Sequence, residues 1–299
     1  MVAAVIGVLG IGLSAVAALY MGWVTQAIQD AKRVDAVVDY PGRPTAMAQA
    51  VTNVGSTPLN FLVVGLGSGG DLEVAYVAHL NASHTSLALV TLPCTTVLAA
   101  TGDVTLAETF TEEGLSGLTQ QVEEALGLRL DHGVVLDLPA LTDVISVEGG
   151  ITVRNPATVK AQGRTWAAGD IRLTGRDAVL FMEAHGSGPG AEQLRAQRHT
   201  VVLIAALERL TELSVVANPM TFRQVMIELS EATMLDAGTS VSDLESLAAD
   251  IRLQRVVTIP APINETASSA FGEDDLYRAD ATAMAALGQQ LRGDTVPER

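Results

Sequence analysis

Apolar residues run without a charged side chain from Val2 to Val24. That stretch is roughly long enough to cross a bilayer at ~1.5 Å per residue. Tyr20 and Trp23 near one end suit a membrane interface. A cleaved signal peptide would open on basic residues and carry a shorter apolar core, and a core helix would show a polar face. The pattern therefore predicts a transmembrane anchor over residues 1–25 and a single-pass protein. Lys32 and Arg33 follow the span, flanked by Asp30 and Asp35. The positive residues weakly favour a cytoplasmic body, but the charges alone leave the side open.

Pro41, Gly42, Pro44, Gly55 and Pro58 mark residues 26–58 as a linker, with one short helix from Thr45 to Thr52. Beyond it the periodicity changes. Phe61 to Val64, Val74 to Leu80 and Ser86 to Leu92 read as three strands. Glycines from Gly65 to Gly70 separate the first two, and the polar turn Asn81 to His84 separates the last two. Ala99 to Glu113 shows no firm period. Leu115, Leu118, Val122 and Leu126 fall at helical spacing, with Gly127 as the stop. Val134 to Leu136 is a short strand. Pro139 to Ser146 is a short helix with Leu141 and Ile145 inward. Ile151 to Val153 is a strand broken by Asn155 and Pro156.

Helices are predicted over Asp177–Glu183, Ala191–Leu213, Thr221–Met234 and Ser242–Arg252. In the last, Ser242 is the N-cap and Glu245 stands three residues on. A late strand, Val256 to Ile259, stops at Pro260, and a final helix covers Asp280–Leu291. The end from Gly293 reads as frayed. Strands and helices alternate without a fixed repeat, so the class is α/β, with one large domain over residues 59–299.

Composition narrows the chemistry. The 299 residues carry a formal net charge of −16, which argues against nucleic acid and against adhesion to anionic headgroups. Hydrophobic residues make up 48% and aromatic ones 4%, so the core must be aliphatic. Cys94 is the single cysteine, which excludes an internal disulfide. It reads as a small buried apolar residue without a basic sequence neighbour. The Gly65–Gly70 loop follows a strand, as a dinucleotide-binding loop does. It leads into a second strand instead of a helix, and no acidic residue follows about twenty positions on, so it reads as a turn. Arg195 and Arg198, three apart on a helix, share a face. They make either a solvated face paired with Glu192 or an anion site.

Taken in order, Asn60–Gly65, His79-Leu80-Asn81-Ala82, Gly127 to His132, Gly149 to Val153, Leu173-Thr174-Gly175, Glu192–His199 and Thr239–Leu247 resemble the LytR-CpsA-Psr family of cell-envelope proteins. The resemblance implies a mixed central sheet flanked by helices and an extracytoplasmic body on a single membrane span. It also implies transfer of a glycan polymer from a polyprenyl-pyrophosphate carrier to peptidoglycan, usually with Mg²⁺. His79 and His132 lie in family-like strand segments and read as structural.

The family's phosphate-binding set is largely replaced. Its Asp-Ser-Arg stands here as Gly67-Ser68-Gly69. Its Arg-Ser-Asp-Thr is Asp71-Leu72-Glu73-Val74, its Pro-Arg-Asp is Pro93-Cys94-Thr95, and its Lys-Ile-Asn is Asp103-Val104-Thr105. A further arginine segment matches Glu183-Ala184-His185. Glu192, Arg195 and Arg198 keep the Asp-x-x-Arg-x-x-Arg pattern, with His199 in place of Gln. The remnant site is therefore Glu73, Arg195 and Arg198, with Glu73 as the candidate Mg²⁺ ligand if the protein is active and no cofactor otherwise. Guanidinium forks lost to Cys, Gly and Asp remove donors and add repulsion to a pyrophosphate. The expected role is a non-catalytic or weakly active binding or accessory protein in glycopolymer attachment. Its expected partners are the membrane, a polyprenyl-phosphate lipid, and an active relative or other envelope protein. The alternative is an active phosphotransferase using Glu73, Arg195 and Arg198. A gene regulator, a role once ascribed to the family, is disfavoured by the acidic body and the lack of a DNA-reading element.

Overall fold

The structure, a computed structural model, describes residues 18–46, 57–98, 103–146, 149–186, 190–266 and 276–295. Most of the expected anchor and of the Thr45–Thr52 helix lies outside these residues. Among those described, no helix is long and apolar enough to cross a membrane.

Helix α1 (residues 18–30) leads into strand β1 (Lys32–Val34). The three central strands are β2 (Leu59–Leu66), β3 (Leu72–Leu80) and β4 (Ser86–Pro93), an antiparallel meander. β6 (His132–Asp137) lies parallel to β2, and β12 (Arg255–Pro260) parallel to β4. β11 (Thr233–Asp236) runs antiparallel to β6 and carries β1 on its outer edge. The result is a seven-stranded mixed sheet in the order β1-β11-β6-β2-β3-β4-β12.

β3 is buried along nearly its whole length because helices cover both faces, so its apolar residues do not alternate with polar ones. On one face Leu62, Val64, Ala75, Val77, Val90 and Leu92 meet α2 (Leu106–Leu126) and α9 (Ala281–Arg292) in the main core. Each fully buried leucine there contributes about 2 kcal/mol. On the other face Val63, Val74 and Tyr76 meet Ala196 and Leu203 of α5 (Ala191–Thr211). α5 shares that layer with α3 (Leu138–Ser146), which packs on α7 (Pro219–Ala232). Leu141 and Ile145 of α3 point inward, as their spacing predicts.

Several boundaries differ from the sequence reading. α2 begins at Leu106, inside the stretch without a period, because Thr105 and Glu108 form a reciprocal capping box. Gly114 then interrupts it with a non-helical φ of 69°, and this break hides the period upstream. Gly127 closes it in the left-handed region, as expected. The helix predicted to Met234 stops at Ala232, where the chain turns into β11. Helix α8 (Val241–Asp250) is capped by Ser240, whose hydroxyl accepts from the Asp243 amide, and not by Ser242.

Besides β1 and β11, six short strands escaped the pattern. β8 (Val159–Ala161) and β9 (Arg164–Trp166) form a hairpin. β10 (Gly169–Leu173) pairs with β7 (Ile151–Asn155), itself predicted over Ile151 to Val153. β5 (Thr96–Val97), β13 (Ile263–Thr266) and β14 (Leu276–Ala279) make a three-stranded sheet.

The presumed linker is partly built into the domain. β1 joins the sheet, and the Ala36 and Val37 amides donate to Asp236 Oδ1 at 3.1 and 3.2 Å. Ala36 crosses so close over Gly133 that a Cβ on the glycine would sit 2.1 Å from its own. Arg43 reaches Glu123 on α2. The start of the supposed frayed end is also held. Asp294 binds His79 Nε2 at 3.0 Å and the Ala82 amide at 3.1 Å.

Candidate functional site

The site forms where β3 starts, β4 ends and α5 begins. Register places Val74 opposite Pro93, so Glu73 and Cys94 become neighbours at one end of the sheet. The Gly67–Gly70 turn precedes Glu73, and Ser68 donates to Glu183 Oε1 at 2.6 Å, tying that turn to the end of α4 (Arg176–Met182). Gly190 opens α5 with φ of 78°, and Glu192 lies in its first turn, where the helix dipole favours a carboxylate.

Arg195 organises the cluster. Its Nε donates to Glu192 Oε1 at 2.5 Å and its Nη2 to Glu192 Oε2 at 2.8 Å, a bidentate pair. Nη1 donates to Glu73 Oε2, and Nη2 also to Cys94 Sγ at 3.1 Å. The guanidinium is 7% exposed, against 10% for Glu192 and 18% for Glu73. Burial pushes the Glu73 carboxyl up, and Arg195 opposes that shift. Burial also pushes the Cys94 thiol up to about 12, so it stays protonated and unreactive despite its basic neighbour.

Arg198 does not join this cluster. Its Nε donates to Phe181 O at 3.1 Å and its Nη2 to Ala184 O, and its guanidinium lies over the Phe181 ring at 5.9 Å. Burial and then Arg195 lower its pKa to about 10, which still leaves it charged at neutral pH. His199 is fully buried, with Nε2 on Met182 O at 3.0 Å and no partner on Nδ1. Burial, reinforced by Arg195, lowers its pKa to about 3 and keeps it neutral.

The sequence-predicted site residues are therefore divided. Glu73 and Arg195 meet, while Arg198 braces the loop after α4. Arg195 spends four of its five N–H donors on groups of its own chain. The two carboxylates outweigh its single charge. A Mg²⁺ ion asks for near-octahedral oxygen ligation. Here Glu73 is already held by Arg195, Glu192 by the same guanidinium, and Cys94 is a protonated thiol, so the donor set does not fit. Among the described residues no group of three or more His, Cys, Asp or Glu side chains could hold a metal ion. Sequence reading missed the Cys94–Arg195 contact, which depends on α5 crossing the end of β4. The Glu192–Arg195 pair was visible in its i,i+3 spacing.

Two larger cavities lie on the α5 and α7 face of the sheet. One, of about 540 Å³, opens between α5 and the β4–β12 edge, with Pro93, Gln193, Ala196, Gln197 and Thr200 in its wall. Its wall includes Pro93 and Ala196, the chain neighbours of Cys94 and Arg195. The other, of about 430 Å³, lies toward the opposite edge of the sheet, beside β6 and β11 and under α1, α7 and α8. Its wall is almost entirely apolar and includes Val24, Ile28, Leu136, Leu229 and Leu247.

Fold and cluster together define an α/β protein with a buried charged cluster at strand ends, where open sheets of this class place ligands. The model described as the LytR_cpsA_psr family matches residues 28–293, and the chain belongs to that family. The polyisoprenyl-teichoic acid–peptidoglycan teichoic acid transferase TagU of Enterococcus faecalis is 24% identical over 205 residues, covering 65% of this chain and 66% of that one. The chain spans about half to two thirds of the length of the curated relatives it matches. Among solved structures, the LytR-Csp2A-Psr enzyme from Actinomyces oris superposes with a TM-score of 0.66 at 21% identity, over 87% of this chain and 95% of that one. B. subtilis TagV gives 0.63 at 17% identity, over 80% and 98%. These likenesses establish the fold, including the mixed sheet flanked by helices.

Proposed function

We propose that this protein is a membrane-anchored, extracytoplasmic member of the family that binds a lipid-linked envelope glycopolymer as an accessory protein, with little or no phosphotransferase activity. The observation that carries the reading is the closed charge balance at Arg195. Its donors face Glu73, Glu192 and Cys94 and not an open pocket. Phosphoryl transfer is achieved mainly by positioning and by neutralising developing charge. A pocket whose arginine is already neutralised supplies little of either. The apolar cavity under α1 has the size and lining that suit a hydrocarbon tail, and the relative TagU, named as a polyisoprenyl-teichoic acid transferase, makes a polyprenyl carrier the natural ligand class.

The test is a transfer assay with the full chain in detergent micelles, a polyprenyl-pyrophosphate-linked saccharide, peptidoglycan acceptor and Mg²⁺. Product is expected to stay at the protein-free background. Turnover near 1 s⁻¹, an ordinary enzymatic rate, would overturn the reading.

A second result follows from the same electrostatics. A carboxylate about 4 Å from a phosphate charge is repelled by roughly 4 kcal/mol at an effective dielectric of ~20, and partial exposure reduces this to about 1–2 kcal/mol. Glu73→Gln is therefore expected to tighten pyrophosphate binding about tenfold in titration calorimetry. An unchanged affinity would place the phosphates away from Glu73.

A further inference from the structure

Apolar side chains left at the surface are unevenly distributed. Among the described residues eight large ones are exposed, and five of them, Leu19, Met21, Val216, Met220 and Ile227, lie on α1, α6 (Leu213–Val216) and α7. Met220 is the extreme, at 71% exposure. These positions form one surface. Tyr20 and Trp23 of α1 stack against Phe222 of α7 at ring separations of 4.7 and 6.4 Å. Trp23 and Ile227 line the same shallow depression between the two helices. Val216 and Met220 bracket the short turn that joins α6 to α7.

The charge pattern sets this surface apart. The chain carries a net charge of −16, yet Ser214 to Ile227 holds no acidic residue and a single basic one, Arg223. Residues 18–29 hold no charge at all. In sequence, the residues that precede this patch, Val2 to Ala17, are uncharged and largely apolar.

We infer that the face formed by α1 and the α6–α7 turn is a seat on the bilayer surface, with Met220, Val216 and Leu19 in the headgroup–acyl boundary and the Tyr20–Trp23–Phe222 cluster at headgroup level. The inference rests on the anchored reading above and goes beyond it. An anchor alone leaves the body free to tilt on its tether, whereas the seat fixes which face meets the lipid. Amphipathic aromatic rings favour that depth, and apolar side chains dipping into it gain burial that solvent denies them. A patch whose depression holds one carboxylate, Asp30, and one guanidinium, Arg223, also lets a strongly acidic body approach a membrane with few carboxylates facing the headgroup phosphates. α1 and α7 both wall the apolar cavity, so the seat holds that cavity close to the lipid phase.

The experiment uses the full chain reconstituted into phosphatidylcholine–phosphatidylglycerol vesicles containing a doxyl-labelled lipid. A fluorophore is attached at Met220→Cys in one preparation and at Thr111→Cys, on α2 across the sheet, in another. Cys94 is buried and protonated and does not compete for the label. The expected result is flotation with the vesicles, and quenching at position 220 at least threefold greater than at position 111. Flotation with equal quenching at the two positions overturns the seat and leaves the anchor standing. Failure to float overturns both.

Discussion

Replacing Arg195 with alanine is expected to destabilise the protein by about 3–5 kcal/mol, the usual result of removing one partner from a buried ion pair. The guanidinium separates Glu73 from Glu192 and donates to both, as well as to Cys94. Without it two largely buried carboxylates face each other and a buried thiol loses its donor. Arg195→Lys restores the charge but not the fork that grips Glu192 at two points, and is expected to recover only part of the loss.

The penalty should depend on pH. Burial already raises the folded-state pKa of Glu73 against the pull of Arg195, and removing Arg195 raises it further. A carboxyl whose folded pKa is raised favours the folded state below its unfolded value of about 4.3, and that contribution is lost as pH rises through the folded pKa. The stability gap between wild type and Arg195→Ala is therefore widest at neutral pH and narrows on acidification, measured by urea unfolding at each pH. The alternative of a poised phosphate-binding arginine makes the opposite forecast. An arginine held without compensating carboxylates would cost stability, and its removal would leave the protein equally or more stable.

How much of this was legible in the sequence depends on how local each signal is. The β2–β4 meander, α3, α5 and α9 were readable because their apolar spacing and terminating residues lie within a few positions of one another. The short strands β5, β8, β9, β10, β13 and β14 carry two to five residues each. That is too few for a period to emerge, and they exist because a partner strand is nearby. β11 was absorbed into the helix before it, since Thr233 to Asp236 becomes a strand only by docking against β6.

The site divides the same way. The conversion of family arginines to Asp71, Cys94 and Gly was visible residue by residue. What those losses leave behind was not, because it depends on three elements converging. Arg195 turning to Glu73 and Cys94, and Arg198 turning to the Phe181 and Ala184 carbonyls, are consequences of where α5 crosses the sheet. Sequence placed the two arginines on one helix face, and packing gave them separate tasks.

Truncating Glu123 to alanine is the second large effect, expected at about 3–5 kcal/mol, and it tests whether residues 32–43 belong to the domain or merely tether it. Glu123 is wholly buried and accepts from Arg43 Nε at 2.9 Å, Arg43 Nη2 at 2.9 Å and the Leu130 amide at 2.8 Å. Arg43 in turn donates to Leu130 O at 2.9 Å, and its side chain is 5% exposed. Removing the carboxylate leaves buried Arg43 with the exposed Asp39, 2.9 Å from Nη1, as its counter-ion, and leaves the Leu130 amide without its acceptor. Arg43→Ala strands the carboxylate, though Leu130 still binds it. The double variant leaves neither charge unpaired, so its cost is expected to fall below the sum of the singles by more than 1 kcal/mol. Amide exchange in Glu123→Ala should quicken around residues 36–43, while α9, on the same face, stays protected. A loss under 1 kcal/mol with unchanged exchange would mark the segment as a tether. The predicted loss instead makes the boundary of the folded unit fall before β1, because a chain that contributes a sheet strand and a buried counter-ion cannot be freed without unmaking the core it completes.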